Sequence, residues 1–319
     1  MRFPKIYCFK LHFIFCSLHA VITSFVFSFL TLLILTESSA EGPQIESPDK
    51  IILPGLLREE LFNSPLGVTK LRWVRSVEDS LGKNPLRATV EASRASSRAL
   101  RLSSVPTVLQ NWTPEWNIVF MDEVPKEAGL PSTLVDQCHP GWMIPPASIY
   151  IVASRLSNAC SSIRLNQSDI ESRLSQVVVH EIAHAIEHKM LGALQGFDRA
   201  RAEGFASWFE LLAARGSPLL DELTLRTEKI NAAKAHFNKY PVRFVFDGSM
   251  PAYSRMAMYF LWIEKRYGLS EIFRVYSDIK DNPKLLFTET VSRRYFSGNE
   301  ERLQNEVLKY IESGVSSGS

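Results

Sequence analysis

His180-Glu181-Ile182-Ala183-His184 is the stretch of this chain whose residue types and spacing can do chemistry. Two histidines four apart in a helix stack on one face, so both imidazoles can reach a single ion. Neutral imidazole suits Zn2+ at about 2.0–2.1 Å, and a catalytic zinc takes three protein ligands while keeping one position open. Glu181, adjacent to a ligand, is placed to take a proton from water activated by such an ion. The pentapeptide also arises by chance, as surface or core histidines that fall at this spacing. The third ligand therefore decides how specific the pattern is.

His188 is excluded as that ligand, because it lies eight residues beyond His180, roughly 12 Å along a helix. A metzincin would need Gly three residues and His six residues after His184, and Glu187 and Met190 stand there. Glu187 and His188 are expected to face solvent or to hydrogen-bond a ligand. Eighteen residues separate His184 from Glu203, which opens Glu203-Gly204-Phe205-Ala206-Ser207-Trp208-Phe209-Glu210. A helix ended by Gly192, a turn through Gly196 and a returning helix bring Glu203 beside the imidazoles and complete a two-His, one-Glu set.

With that spacing, HExxH followed by Glu-Gly-Phe-Ala and aromatics resembles the gluzincins, whose aminopeptidase-N-like and peptidase-MA-like members share it. Tyr253 to Trp262 and Glu264-Lys265-Arg266-Tyr267-Gly268 look like the downstream helix of the peptidase-MA-like domains, so the resemblance covers roughly residues 115 to 280. It implies an α+β, thermolysin-like zincin fold and a zinc peptidase in which Glu181 is the general base. By the same likeness His180, His184 and Glu203 hold the metal, and Tyr253 stabilises the oxyanion. The phenol of Tyr259 is an alternative for that last role, and core packing is the ordinary reading of both tyrosines. The Gly-x-Met-Glu-Asn segment of the aminopeptidases has no counterpart here, which leaves an endopeptidase as the expected activity. A catalytically silent pseudo-peptidase that binds peptide or cell-envelope partners is the alternative, and hydrolysis of other amides uses the same chemistry.

The elements that must position these residues are legible from periodicity. Ile170, Leu174, Val177, Val178, Ile182, Ala185 and Ile186 recur near a 3.6-residue period, predicting a helix from Asp169 to Leu191. Further helices are expected at about 198–214, 221–238, 252–267, 270–279 and 299–312. Trp116 to Met121 and Ser148 to Ala153 are short, β-rich runs that read as two strands of a small sheet. The Pro-rich stretch between them reads as a long loop bordering the cleft. Two helices broken by Pro85 are expected from about Lys70 to Leu102, after an irregular lead-in over 41–66. The expected organisation is residues 1–40 as export signal or anchor, 41–105 as a helical N-terminal region, and 106–319 as the zincin-like domain.

Arg2, Lys5 and Lys10 precede an apolar run over 13–35 that ends before Ser38-Ser39-Ala40, the pattern of a cleavable export signal. The run is also long enough for an uncleaved membrane tether. The exported chain is thus expected to be secreted or periplasmic, or held at the membrane. Of the 36 basic and 34 acidic residues, three and one fall in this segment, leaving 33 of each. A neutral balance gives no pull toward nucleic acid, so the expected partner is a peptide or protein substrate. Arg94, Arg98 and Arg101 fall at helical spacing, as a solvated face does. Cys138 and Cys160, the two cysteines beyond residue 40, are expected to pair in an oxidising compartment. Asn111 and Asn166 match the glycosylation pattern, from which nothing is drawn. With 45% hydrophobic residues over 319 positions, the chain has the makings of a substantial core.

Overall fold

A computed structural model of the chain describes residues 57–81, 84–123, 140–157 and 167–313. The expected export segment and the Cys138–Cys160 bridge lie outside the described residues. All the described residues belong to one compact unit, a mixed α+β structure in which a five-stranded sheet is followed by helices.

The sheet begins earlier than the sequence pattern suggests. Strands β1 (Leu57–Ser64) and β2 (Gly67–Val74) form an antiparallel hairpin where an irregular lead-in and the start of a helix are expected. In β2 the buried positions Thr69, Leu71 and Trp73 alternate with outward residues, the two-residue period of a half-buried strand. Edge strand β1 is largely exposed and charged, with Glu59 reaching Lys70 at 3.1 Å, and so carries no strand-like apolar alternation. Gly67 turns the hairpin at φ 121°, where an added Cβ would lie 2.5 Å from the Pro114 carbonyl oxygen.

Strands β3 (Trp116–Met121) and β5 (Ser148–Val152) match the two expected strands and pair in parallel. The described part of the Pro-rich stretch holds a further strand, β4 (Gly141–Ile144), antiparallel to β5 at the opposite edge. The strand order is β1-β2-β3-β5-β4. Because β2 pairs with β3, the boundary expected near residue 105 falls inside one sheet.

Two helices follow the hairpin, α1 (Arg75–Leu81) and α2 (Asn84–Leu100), with Pro85 in the first turn of α2, where its missing N–H costs nothing. The buried face of α2 is built from Ala88, Ala92, Ala95, Ser96 and Ala99, small enough to admit the site helix closely. Ser175 donates a hydrogen bond to the Ala88 carbonyl across that contact, at 3.3 Å.

That site helix, α3 (Gln167–Leu191), is buried on most of its circumference, between α2, a returning helix and strands β4 and β5. Gly192, at φ 58°, stops it, and a single 3-10 segment, Gly192–Phe197, leads into α4 (Arg199–Ala214). Asp198 caps α4 by accepting from the Arg201 backbone N–H, and its second carboxylate oxygen accepts from the Phe287 N–H at 2.8 Å. Then come α5 (Glu222–Lys239), α6 (Met250–Tyr267), α7 (Leu269–Asp281), α8 (Phe287–Phe296) and α9 (Glu300–Ser313). All but α8 were expected. Phe205, Trp208, Phe260, Tyr276 and Phe287 stack into the core that fixes α4 against α6 and α7, with Phe260 and Phe287 4.4 Å apart.

Candidate metal centre

Helix α3 carries His180 and His184 on one face, and α4 presents Glu203 opposite them. His180 Nε2 lies 3.3 Å and His184 Nε2 3.7 Å from Glu203 Oε2. The two imidazoles are 4.8 Å apart at 81° to each other, and one donor atom from each of the three residues falls within 4.8 Å of the others. Ligands on a tetrahedral Zn2+ at about 2.0–2.1 Å sit roughly 3.4 Å from one another. Two of the three separations are thus close to that requirement, and the donor set is the neutral-imidazole and carboxylate chemistry that zinc accepts. The residues fit the ion.

Behind the histidines is a layer that the sequence pattern does not single out. His180 Nδ1 is 2.7 Å from Glu210 Oε1, so the imidazole donates there and turns Nε2 toward Glu203. Glu210 lies seven residues after Glu203, two turns along the same face of α4. Its other oxygen accepts from Gln176 Nε2 and lies 3.1 Å from the Lys229 ammonium of α5. Both Glu210 and Lys229 are buried, and each satisfies the other's charge. The available signal for Glu210 is its place seven residues after Glu203 on one helix face. Lys229, from a distant helix, has none.

Electrostatics follow from this crowding. Burial disfavours the His180 imidazolium, but the carboxylates of Glu203 and Glu210 outweigh it and raise the ring to about 10. Burial alone would raise Glu203. The two histidines instead hold it well below the ordinary carboxylate range. Glu210, likewise opposed by burial, is lowered to about 2 by Lys229 and His180. Glu181 moves the other way: burial raises it, only partly countered by the imidazoles. A carboxyl with raised proton affinity thus stands beside the donor cluster, in the cavity wall.

His180, Glu181, His184, Glu203 and Glu210 line one cavity of about 370 Å³, together with strand β4 and the start of α6. Gly141 of β4 lets the strand approach α3, since a Cβ there would lie 3.0 Å from both Glu181 Oε1 and Val177 Cγ1. The expectation that this stretch borders the cleft holds for Pro140 to Met143 and Pro145. Gly204, next to Glu203, does the same for α4 and α6: a Cβ would come 2.1 Å from Met256 Cγ and 3.2 Å from the Met256 backbone carbonyl carbon.

Tyr253 lines the same cavity, 1% exposed, hydrogen-bonded to Arg199 and stacked on Phe246 at 5.7 Å. Burial and the Glu203 carboxylate hold its phenol above the ordinary range, so it stays protonated. Tyr259 does not line the cavity. It is fully buried next to Phe244 and Arg255, which removes it as the alternative phenol. Glu187 is also corrected: it neither faces solvent nor touches a histidine ligand. It is fully buried, 2.9 Å from Arg201 Nε and accepting from the Tyr276 hydroxyl at 2.7 Å, because its side of α3 packs against α4 and α7. His188 is half-buried and stands outside the donor cluster.

No protein-family model matches the chain, and a search of curated proteins finds no match. No helix among the described residues is long and apolar enough to cross a membrane.

Proposed function

We propose that this chain is an exported zinc-dependent peptidase of the gluzincin type, with a thermolysin-like zincin fold, acting as an endopeptidase. The observation that carries the reading is the convergence of His180, His184 and Glu203 donors on one point, with the Glu181 carboxyl in the wall of the same cavity. A zinc ion bound there would polarise a substrate carbonyl and lower the pKa of water toward ~7.

The chain's own residues supply the rest. Glu181 accepts a proton from the water whose oxygen attacks the peptide carbonyl carbon, and returns a proton to the amide nitrogen as the C–N bond breaks. Its raised proton affinity favours the first transfer, and its closeness to the imidazoles keeps it able to ionise. Tyr253, protonated, donates a hydrogen bond to the oxygen that gains negative charge. Glu210 keeps His180 in the Nδ1–H tautomer throughout. The N-terminal residues 1–40 support export, and the neutral balance beyond them fits a peptide substrate.

The test is zinc quantification in the purified protein, followed by cleavage of unfolded casein with and without chelator. Stoichiometric zinc with chelator-sensitive cleavage supports the reading, and Glu181→Gln should abolish turnover with zinc retained. Stoichiometric zinc without cleavage would turn the assignment to a silent, peptide-binding protein.

A further inference from the structure

The cavity contains a cation that the reaction above does not use. Arg173 lies on α3 seven residues before His180 and lines the same cavity. Seven residues place it on the histidine face, about 10.5 Å toward the helix N-terminus. Among the described residues its guanidinium bonds only a neutral group, Gln176 Oε1, at 2.5 Å. That Gln176 amide in turn donates to Glu210, so its orientation and the position of Arg173 are set by the charged layer behind His180.

The other charged groups in the cavity, Glu181 apart, already have charged partners. Glu203 faces both histidines. Glu210 is shared between His180 and Lys229. Glu181 is packed against β4 beside the imidazoles, and the second cavity arginine, Arg199, is engaged with Glu203 and Tyr253. Glu171, two residues before Arg173 and outside the cavity lining, pairs with Arg87 at 3.2 Å. Arg173 thus lines the cavity with one of its five N–H donors used on Gln176, and a guanidinium has the fork geometry that fits a carboxylate.

We propose that Arg173 is a specificity-determining residue that binds a substrate carboxylate about three residues from the scissile bond. The spacing follows from the chain dimensions, because an extended peptide advances about 3.3–3.6 Å per residue and three residues cover the rise from His180 to Arg173. The carboxylate comes from an Asp or Glu side chain or from a substrate C-terminus. The inference rests on the peptidase reading for the position of the bond, and on the cavity alone for the carboxylate.

The experiment uses zinc-loaded protein and a peptide mixture whose cut sites are read by mass spectrometry. Matched peptides carry Glu or Gln at each of the three positions either side of the cut, with free or amidated C-termini. The acidic peptides should be cleaved about tenfold faster in kcat/KM, chiefly through KM, and the preference should fall to near one in Arg173→Glu and persist in part in Arg173→Lys. Loss of the preference on amidation assigns the terminal carboxylate, and its survival assigns a side chain. Equal cleavage of Glu and Gln peptides by the wild type, or an unchanged preference in Arg173→Glu, overturns the proposal. If no peptide is cut, the peptidase reading fails, and binding of the same pairs by fluorescence polarisation still decides the site. Tighter binding of the acidic member, lost in Arg173→Glu, upholds it, and equal binding overturns it.

Discussion

His180 is held between two carboxylates, Glu203 toward Nε2 and Glu210 at Nδ1, and the consequences of that arrangement can be measured one residue at a time. Replacing Glu210 by Gln keeps the shape but weakens the acceptor and strands the Lys229 ammonium. Zinc affinity is expected to fall by roughly 10–100-fold, read by competition with a chromophoric chelator. Because His180 is raised to about 10 before metal binds, it is protonated at neutral pH, and the incoming ion must displace that proton. Zinc affinity should therefore rise with pH toward 10, and calorimetry in buffers of different ionisation enthalpy should show proton release. The convergence of His180, His184 and Glu203 is legible in the sequence, because helical stacking fixes the two histidines and one helix–turn–helix returns the carboxylate. The burial of Glu187 is not legible there, because the polarity of a side chain does not reveal that Arg201 and Tyr276 pair with it in the core.

At the scale of elements, three close approaches set the site: β4 on α3 at Gly141, α6 on α4 at Gly204, and α2 on α3 through alanines. Gly204→Ala forces a methyl group onto Met256, including its backbone, and is expected to cost about 1–3 kcal/mol of stability, measured by denaturant unfolding. Its zinc affinity should fall with it, since Glu203 is the neighbouring residue. The loop before α6 offers a pH-dependent check. Asp247, which accepts from Ser249 and pairs with Lys239 at 3.1 Å, is lowered from 3.8 to about 2. A depressed carboxylate stabilises the fold above its unfolded value and loses that contribution as pH falls through the folded one. Asp247→Asn should therefore melt lower than the wild type at pH 7, with the difference shrinking between about 3.8 and 2. Long helices and the inner strands β3 and β5 declared themselves through period and apolar content. The edge strands β1 and β4 did not, one being charged and exposed and the other short and set among prolines. Helix α8 is rich in Thr, Val, Tyr and Phe, residues that favour strands when packing is ignored.

The whole molecule places the donor cluster where a sheet edge meets the helical half. In the proposed reading, metal binding and global stability are therefore linked. An ion that binds only the folded state stabilises by RT ln(1 + [L]/Kd), about 2.7 kcal/mol at a hundredfold excess over Kd. The melting temperature should rise with added zinc and return to the metal-free value with chelator, and Glu203→Ala should remove most of the rise. The mixed α+β class was readable from the sequence. The union of residues 57–74 with the sheet was not, because parallel pairing of β2 with β3 joins segments more than forty residues apart and leaves no local pattern. The most direct test of the central claim is anomalous scattering at the zinc edge from crystals of the zinc-loaded protein. The expected result is one strong peak at about 2.0–2.2 Å from His180 Nε2, His184 Nε2 and a Glu203 carboxylate oxygen. A peak elsewhere, or none at full zinc loading, would contradict it.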